Sequence, residues 1–344
     1  MAIRKYIIAR DDRYYLAWPD ICRADGGRLV CVFCECAFHN DRTGARIALV
    51  TSDDRGRTWS PRRYLTEPGT KAASYNCARI TRLRDGRLVL LCDYPTGPEN
   101  DGNSRVDMWF GDGTGGNWSE PVTLPIVGIV PDRLLELRSG RWLVAAHLYC
   151  KETGKLTQYG IYSDDQGKTW SHVITMAADP RYNLCEASVI EASTGDLVCF
   201  LRENSGEGID CLKVVSHDCG ETWSGISAVP IPGCHRPTAG YLRDGRILLT
   251  CRMSQGGKGW LGNWTQNFIA CLMSEESALA ADRKQQATRI MPIDYDRSPK
   301  SDLGYSGWVQ FEDGEIYIAE YIVDDAPKAH IRGYSLRPED FMLE

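Results

Sequence analysis

Apolar residues in this chain come in short runs, each set off by a polar turn, and one such unit recurs six times. The turns are Asp25-Gly26-Gly27-Arg28, Asp85-Gly86-Arg87, Ser139-Gly140-Arg141, Ser193-Thr194-Gly195-Asp196, Asp244-Gly245-Arg246 and Asp313-Gly314-Glu315. Each leads into a strand-like run, among them Leu29-Val30-Cys31-Val32-Phe33, Leu197-Val198-Cys199-Phe200-Leu201 and Ile316-Tyr317-Ile318-Ala319. Gly supplies the positive φ that a tight hairpin turn needs, so Asp-Gly between apolar runs predicts paired antiparallel strands. The turns lie about 50 to 70 residues apart, which suits one four-stranded blade per repeat. The expected fold class is therefore all-β: a single six-bladed β-propeller of antiparallel blades spanning residues 1–344. A ring must also cover its two raw sheet edges. Lys5-Tyr6-Ile7-Ile8-Ala9 is expected to complete the last blade, beside Ala329-His330-Ile331-Arg332-Gly333-Tyr334. Helical periodicity is scarce; the one helix expected runs from Glu275 to Gln286.

Composition narrows the function classes. At 43% hydrophobic and 25% charged residues the chain has material for a large buried core. The net charge of −6 disfavours a nucleic-acid partner, which usually requires a basic face. No stretch approaches the roughly 20 apolar residues of a membrane span. The N-terminal Met1 to Arg10 runs into Asp11-Asp12-Arg13 without an apolar core, so no signal peptide, and hence a cytoplasmic location, is expected. Most of the 14 cysteines sit in predicted strands, such as Cys31, Cys92, Cys199 and Cys251, and read as reduced core residues. Cys31, Cys34 and Cys36 lack a matching second pair for zinc. The glycine runs Gly111 to Gly116 and Gly256-Gly257 lack the Lys-Ser/Thr of a phosphate loop. No metal or other cofactor is expected.

A second motif rides on the repeat. Ser52-Asp53-Asp54-Arg55-Gly56-Arg57-Thr58-Trp59, Ser163-Asp164-Asp165-Gln166-Gly167-Lys168-Thr169-Trp170 and Ser216-His217-Asp218-Cys219-Gly220-Glu221-Thr222-Trp223 share Ser-x-Asp-x-Gly-x-Thr-Trp. Asp112-Gly113-Thr114-Gly115-Gly116-Asn117-Trp118 reads as a decayed copy. The composition is that of a hairpin tip: Asp caps the turn, Gly permits the bend and Trp buries a large face. These motifs resemble the Asp-boxes of the sialidase superfamily, where they sit on the outer rim and stabilise turns, so Asp54, Asp165 and Asp218 are expected to be structural.

The innermost strand of each blade starts near the propeller axis, so the residues that open it converge on one face. Here they are Trp18-Pro19-Asp20, Asn76-Cys77-Ala78-Arg79, Pro131-Asp132-Arg133, Leu184-Cys185-Glu186, Cys234-His235-Arg236-Pro237 and Gly304-Tyr305-Ser306. Positions opening a buried strand are ordinarily apolar; this polar ring predicts a site.

The resemblance implies roles for these residues. Sialidases attack with a tyrosine beside a glutamate, because a neutral phenol is not repelled by a substrate carboxylate and needs only a nearby base. Tyr305 and Glu186 match that pair. The acid/base is expected at Asp41, in the loop leading to Arg46-Ile47-Ala48, with His39 as its competitor. An arginine clamp for a carboxylate is expected from Arg202, with Arg252 or Arg236 as its second member. At the position of the family's first clamp arginine this chain has Ala17-Trp18, followed by Asp20, and Arg79 or Arg133 is the expected substitute. The resemblance thus implies an exo-acting glycoside hydrolase releasing a terminal, sialic-acid-like sugar. Two alternatives stay open: a propeller glycosidase for a different sugar, using Asp20, Glu186, Asp41 and His235, or a non-catalytic carbohydrate-binding propeller. Carbohydrate is the expected partner in all three.

Overall fold

The computed structural model describes residues 3–97, 103–254 and 266–341, so Gly256-Gly257 lies outside the described residues. It contains six four-stranded antiparallel sheets, each a blade of one β-propeller. The innermost strands of blades 1 to 6 are Tyr15–Arg23, Arg79–Arg82, Leu135–Glu136, Leu184–Glu191, Cys234–Tyr241 and Leu303–Gln310. In five blades the strands follow chain order from the inside out. The sixth is closed by the N-terminus: Arg4–Ala9 pairs antiparallel with His330–Leu336, Lys5 opposite Tyr334 and Ile7 opposite Arg332. This removes the sheet edge that an open ring would expose. Phe33, Phe200, Phe268, Tyr317 and Trp142 are fully buried in the apolar layers. None of the 14 cysteines is paired in a disulfide.

The expected helix is shorter than its pattern. Glu275–Leu279 is α-helical, capped by the Ser274 side chain, but Ala280 is extended and only a short turn, Arg283–Gln285, follows. The buried Lys213 ammonium accounts for the break. It binds the carbonyl oxygens of Ala278 and, at 2.7 Å, Ala280, so the helix ends on a side-chain donor.

The Asp-boxes are hairpin tips. Asp54 accepts from the Thr58 main-chain N–H at 2.9 Å and the Thr58 hydroxyl at 2.6 Å, and the Trp59 indole donates to the Gly56 carbonyl at 3.0 Å. Asp165 and Asp218 repeat the pattern with Thr169 and Thr222. Gly56 is required twice over: its φ is +81°, and a Cβ there would stand 2.3 Å from the buried Tyr317 ring.

One irregularity positions the site. In blades 1, 4, 5 and 6 the innermost strand carries a β-bulge near its start: between Ala17 and Asp20, Cys185 and Ser188, His235 and Thr238, and Leu303 and Ser306. The bulged residues Trp18, Glu186 and Arg236 have φ of 55°, 49° and 54°, and Gly304 has 105°. Val130, just ahead of blade 3's innermost strand, has φ of 47°. Such a bulge re-aims side chains away from the alternation of a regular strand. Recurring around the axis, it turns side chains from several blades toward one end of the propeller.

Candidate active site

Side chains from five blades, Trp18 and Glu186 among them, enclose a cavity of about 180 Å3. Blade 1 contributes Trp18, His39 and Asn40; blade 2 Asn76 and Cys77; blade 3 Ile129, Val130, His147 and Leu156; blade 4 Cys185, Glu186 and Asn204; blade 6 Tyr305.

Tyr305 and Glu186, 119 residues apart, meet in its wall. The Tyr305 hydroxyl donates to Glu186 Oε1, and both residues are more than nine-tenths buried. Arg202 Nη1 donates to both Glu186 oxygens at 2.9 Å and to the Tyr305 oxygen at 3.0 Å. Its Nη2 reaches Asn204 Oδ1. Strand pairing sets this up, since Cys185 faces Arg202 across the first hairpin of blade 4. Burial works against charge on Glu186, but Arg202, with Arg236 further off, prevails and holds the carboxyl at about 2. The Tyr305 phenol is pushed well up, first by burial and then by the Glu186 charge, with Arg202 and Arg252 opposing. The pair is thus a neutral phenol hydrogen-bonded to a carboxylate, with a guanidinium touching both.

Gly304 makes this approach possible. A Cβ there would lie 2.4 Å from the Arg252 Cβ. The Arg252 guanidinium lies 5.4 Å from the centre of the Tyr305 ring. It also donates to the Leu303 carbonyl at 3.4 Å and lies 3.5 Å from His235 Nδ1. Burial, then Arg202 and Arg252, push the His235 imidazole well down, so it is neutral. Beside Glu186, His147 Nδ1 accepts the Glu186 main-chain N–H at 3.3 Å, which fixes its proton on Nε2. Burial lowers this imidazole to about 4.

Other polar residues of the ring lie inside the molecule rather than in the cavity wall. Asp20 is completely buried, paired with Arg133 on both oxygens and 3.4 Å from Arg79 Nε, and it accepts the Ile21 and Ile80 N–H groups at 2.9 Å each. Arg79 crosses from blade 2 to the Ser306 carbonyl of blade 6 at 3.1 Å and the Thr238 hydroxyl of blade 5 at 3.2 Å. Arg236 crosses from blade 5 to the Pro131 carbonyl of blade 3 at 2.9 Å. These links span the axis and plug the central channel. Asp20, Arg79 and Arg236, expected to meet substrate, are bound up in this internal network, and the Asp20 charge is already compensated.

Asp41 also stands off the cavity wall: it accepts the Thr43 N–H at 3.1 Å, and its main chain pairs with Phe38. The loop instead brings His39 to the cavity. There His39 Nδ1 meets Asp302 Oδ2 at 2.5 Å. Asn76 was named at the opening of blade 2, but Asp302, Asn204 and His147 were not singled out in the sequence. For Asp302, its place three residues before Tyr305 was the available signal.

Among solved structures, a protein of unknown function from Dyadobacter fermentans matches with a TM-score of 0.77 at 20% identity, covering 98% of this chain and 99% of that one. The intramolecular trans-sialidase of Ruminococcus gnavus matches at 0.70 and 15% identity, covering 96% of each chain. The NanB sialidase of Streptococcus pneumoniae matches at 0.70 and 16% identity, covering 98% of this chain and 70% of that one. At these identities the likeness is one of fold: a sialidase-type propeller. The sequence model of the BNR repeat-like domain matches residues 66–318. With a six-bladed ring, Asp-box hairpins and a match over most of its length, the chain belongs to the BNR repeat-like family.

Proposed function

We propose that this protein is an exo-acting glycoside hydrolase that releases a terminal sugar through a covalent bond to Tyr305. The observation that carries the reading is the buried Tyr305–Glu186 pair in the cavity wall, with the Arg202 guanidinium hydrogen-bonded to both. As the Tyr305 oxygen bonds to the anomeric carbon, its proton passes along the existing hydrogen bond to the Glu186 carboxylate, and the bond to the leaving oxygen breaks. Arg202 keeps Glu186 ionised and ready to accept that proton, and its contact with the phenol oxygen stabilises charge developing there. The plugged channel beneath the cavity favours a chain end over a chain interior, hence exo action.

A sialic-acid-like sugar is the first substrate to test, since a neutral nucleophile suits a carboxylate at the reacting carbon. A different terminal sugar is the second reading. It is favoured by Ala17-Trp18 at the first clamp position and by Arg79 and Arg236 being engaged inside the molecule.

The test is turnover of aryl glycosides of sialic acid and of neutral and other acidic sugars, beside Tyr305→Phe. Loss of turnover in Tyr305→Phe, with the fold intact by circular dichroism, supports the reading, and the sugar turned over selects between its two versions. Sugar binding without turnover of any glycoside refutes it in favour of a carbohydrate-binding propeller.

A further inference from the structure

The geometry points to His39, oriented by Asp302, as the group that protonates the leaving oxygen and then deprotonates the attacking water. This rests on the glycosidase reading, which among the described residues otherwise has a nucleophile and a base but no acid facing the cavity.

His39 comes from the loop after the second strand of blade 1, and Asp302 from the segment opening blade 6, 263 residues away. Two aromatic rings of blade 1 pack edge-on against the imidazole: Trp18 at 5.4 Å between ring centres and Tyr15 at 6.2 Å. Its Nδ1 is committed to Asp302, so Nε2 is the nitrogen free for chemistry. The His39 side chain is 40% exposed and lines the cavity with Tyr305.

Asp302 is built to stay in place and stay charged. Its Oδ2 also accepts from the Tyr15 hydroxyl, its Oδ1 accepts from Tyr321 at 2.7 Å, and Arg252 Nη1 lies 3.7 Å away. Burial works against its charge, but His39, Arg252 and Tyr15 outweigh it and keep the carboxyl below its ordinary range. A carboxylate that fixes one imidazole nitrogen leaves the other aimed and in the correct tautomer, the arrangement by which a third group orients a general base.

The two steps balance. In the first, the Tyr305 oxygen bonds to the anomeric carbon, the Tyr305 proton goes to Glu186, the bond to the leaving oxygen breaks, and the Nε2 proton of imidazolium goes to that oxygen. In the second, water attacks the same carbon, its proton goes to the now neutral Nε2, the bond to Tyr305 breaks, and Glu186 returns the phenol proton. His39 is the catalytic residue here and Asp302 a positioning residue.

The experiment compares kcat/KM for 4-nitrophenyl and methyl glycosides of the sugar the protein turns over, because only the poor leaving group needs an acid. His39→Gln should lose about 10²- to 10⁴-fold on the methyl glycoside and little on the nitrophenyl glycoside. Asp302→Asn should show the same selectivity in weaker form. Independently of activity, 15N NMR should find neutral His39 protonated on Nδ1, with Nε2–H gaining population in Asp302→Asn. Equal loss on both glycosides in His39→Gln, or a leaving-group-dependent loss in Asp41→Asn instead, overturns the assignment. So does a His39 tautomer unmoved by Asp302→Asn. If Tyr305→Phe retains turnover, the nucleophile reading fails, while the tautomer measurement still judges the His39–Asp302 pair.

Discussion

Removing the Arg202 guanidinium tests the electrostatics of the cavity directly. In Arg202→Met a side chain of similar length remains, but Glu186 loses two hydrogen bonds and the charge that keeps it ionised. The Glu186 carboxyl is held at about 2 against an ordinary 4.5. At 1.36 kcal/mol per unit that corresponds to about 3 kcal/mol of folding stability at neutral pH. Breaking a buried ion pair by truncating one partner typically costs about 3–5 kcal/mol, which agrees. For a chain of this size the expected fall in Tm is about 2 °C per kcal/mol, so about 6–10 °C in all. Because the carboxyl is depressed in the folded state, its contribution is complete above the ordinary 4.5 and is lost as pH falls from there toward 2. The gap between wild type and Arg202→Met should therefore close over that interval. Denaturant melts of wild type, Arg202→Met, Glu186→Gln and the double variant should give a coupling energy of about 3 kcal/mol at pH 7. A coupling below about 0.5 kcal/mol, or a gap that does not change with pH, would refute this account.

Two further perturbations follow from the same geometry. Gly304→Ala places a methyl group 2.4 Å from the Arg252 Cβ at a φ of +105°, so it should destabilise by more than about 2 kcal/mol. It should also lower activity by shifting Tyr305, which thermal melts and turnover of the same preparation will show. The buried His147 and His330 are both lowered to about 4, by burial first, against 6.5 when unfolded. Each therefore adds stability that is full above 6.5 and is lost as pH falls toward 4, about 3 kcal/mol apiece at most. His147→Gln should flatten the unfolding midpoint over that range, and an unchanged slope would contradict the burial argument.

The fold was legible in the sequence because what specifies it is local. An Asp-Gly turn needs only its own backbone, and Asp54 binds Thr58 four residues on, so six repeats and their hairpins could be read without any long-range partner. Glu186 and Arg202 were legible for a related reason: sixteen residues apart on two strands of one hairpin, they are brought together by local pairing. Tyr305 came from the repeat phase, which marks where each innermost strand opens.

What a side chain faces at those openings was settled only by the closed ring. The bulges with positive φ break the simple alternation of a strand, so phase alone does not say which residue points to the cavity. Arg79, Arg236 and Asp20 were expected at the substrate, yet their partners are Ser306, Pro131 and Arg133, contributed by other blades across the axis. The exchange of Asp41 for His39 in the cavity wall has the same origin, since Asp302 lies 263 residues away and becomes a neighbour only when the last blade closes on the first. Local hydrogen bonds and periodicity can be read along a chain; the direction of a polar side chain depends on which distant group compensates it, and here ring closure supplies that group.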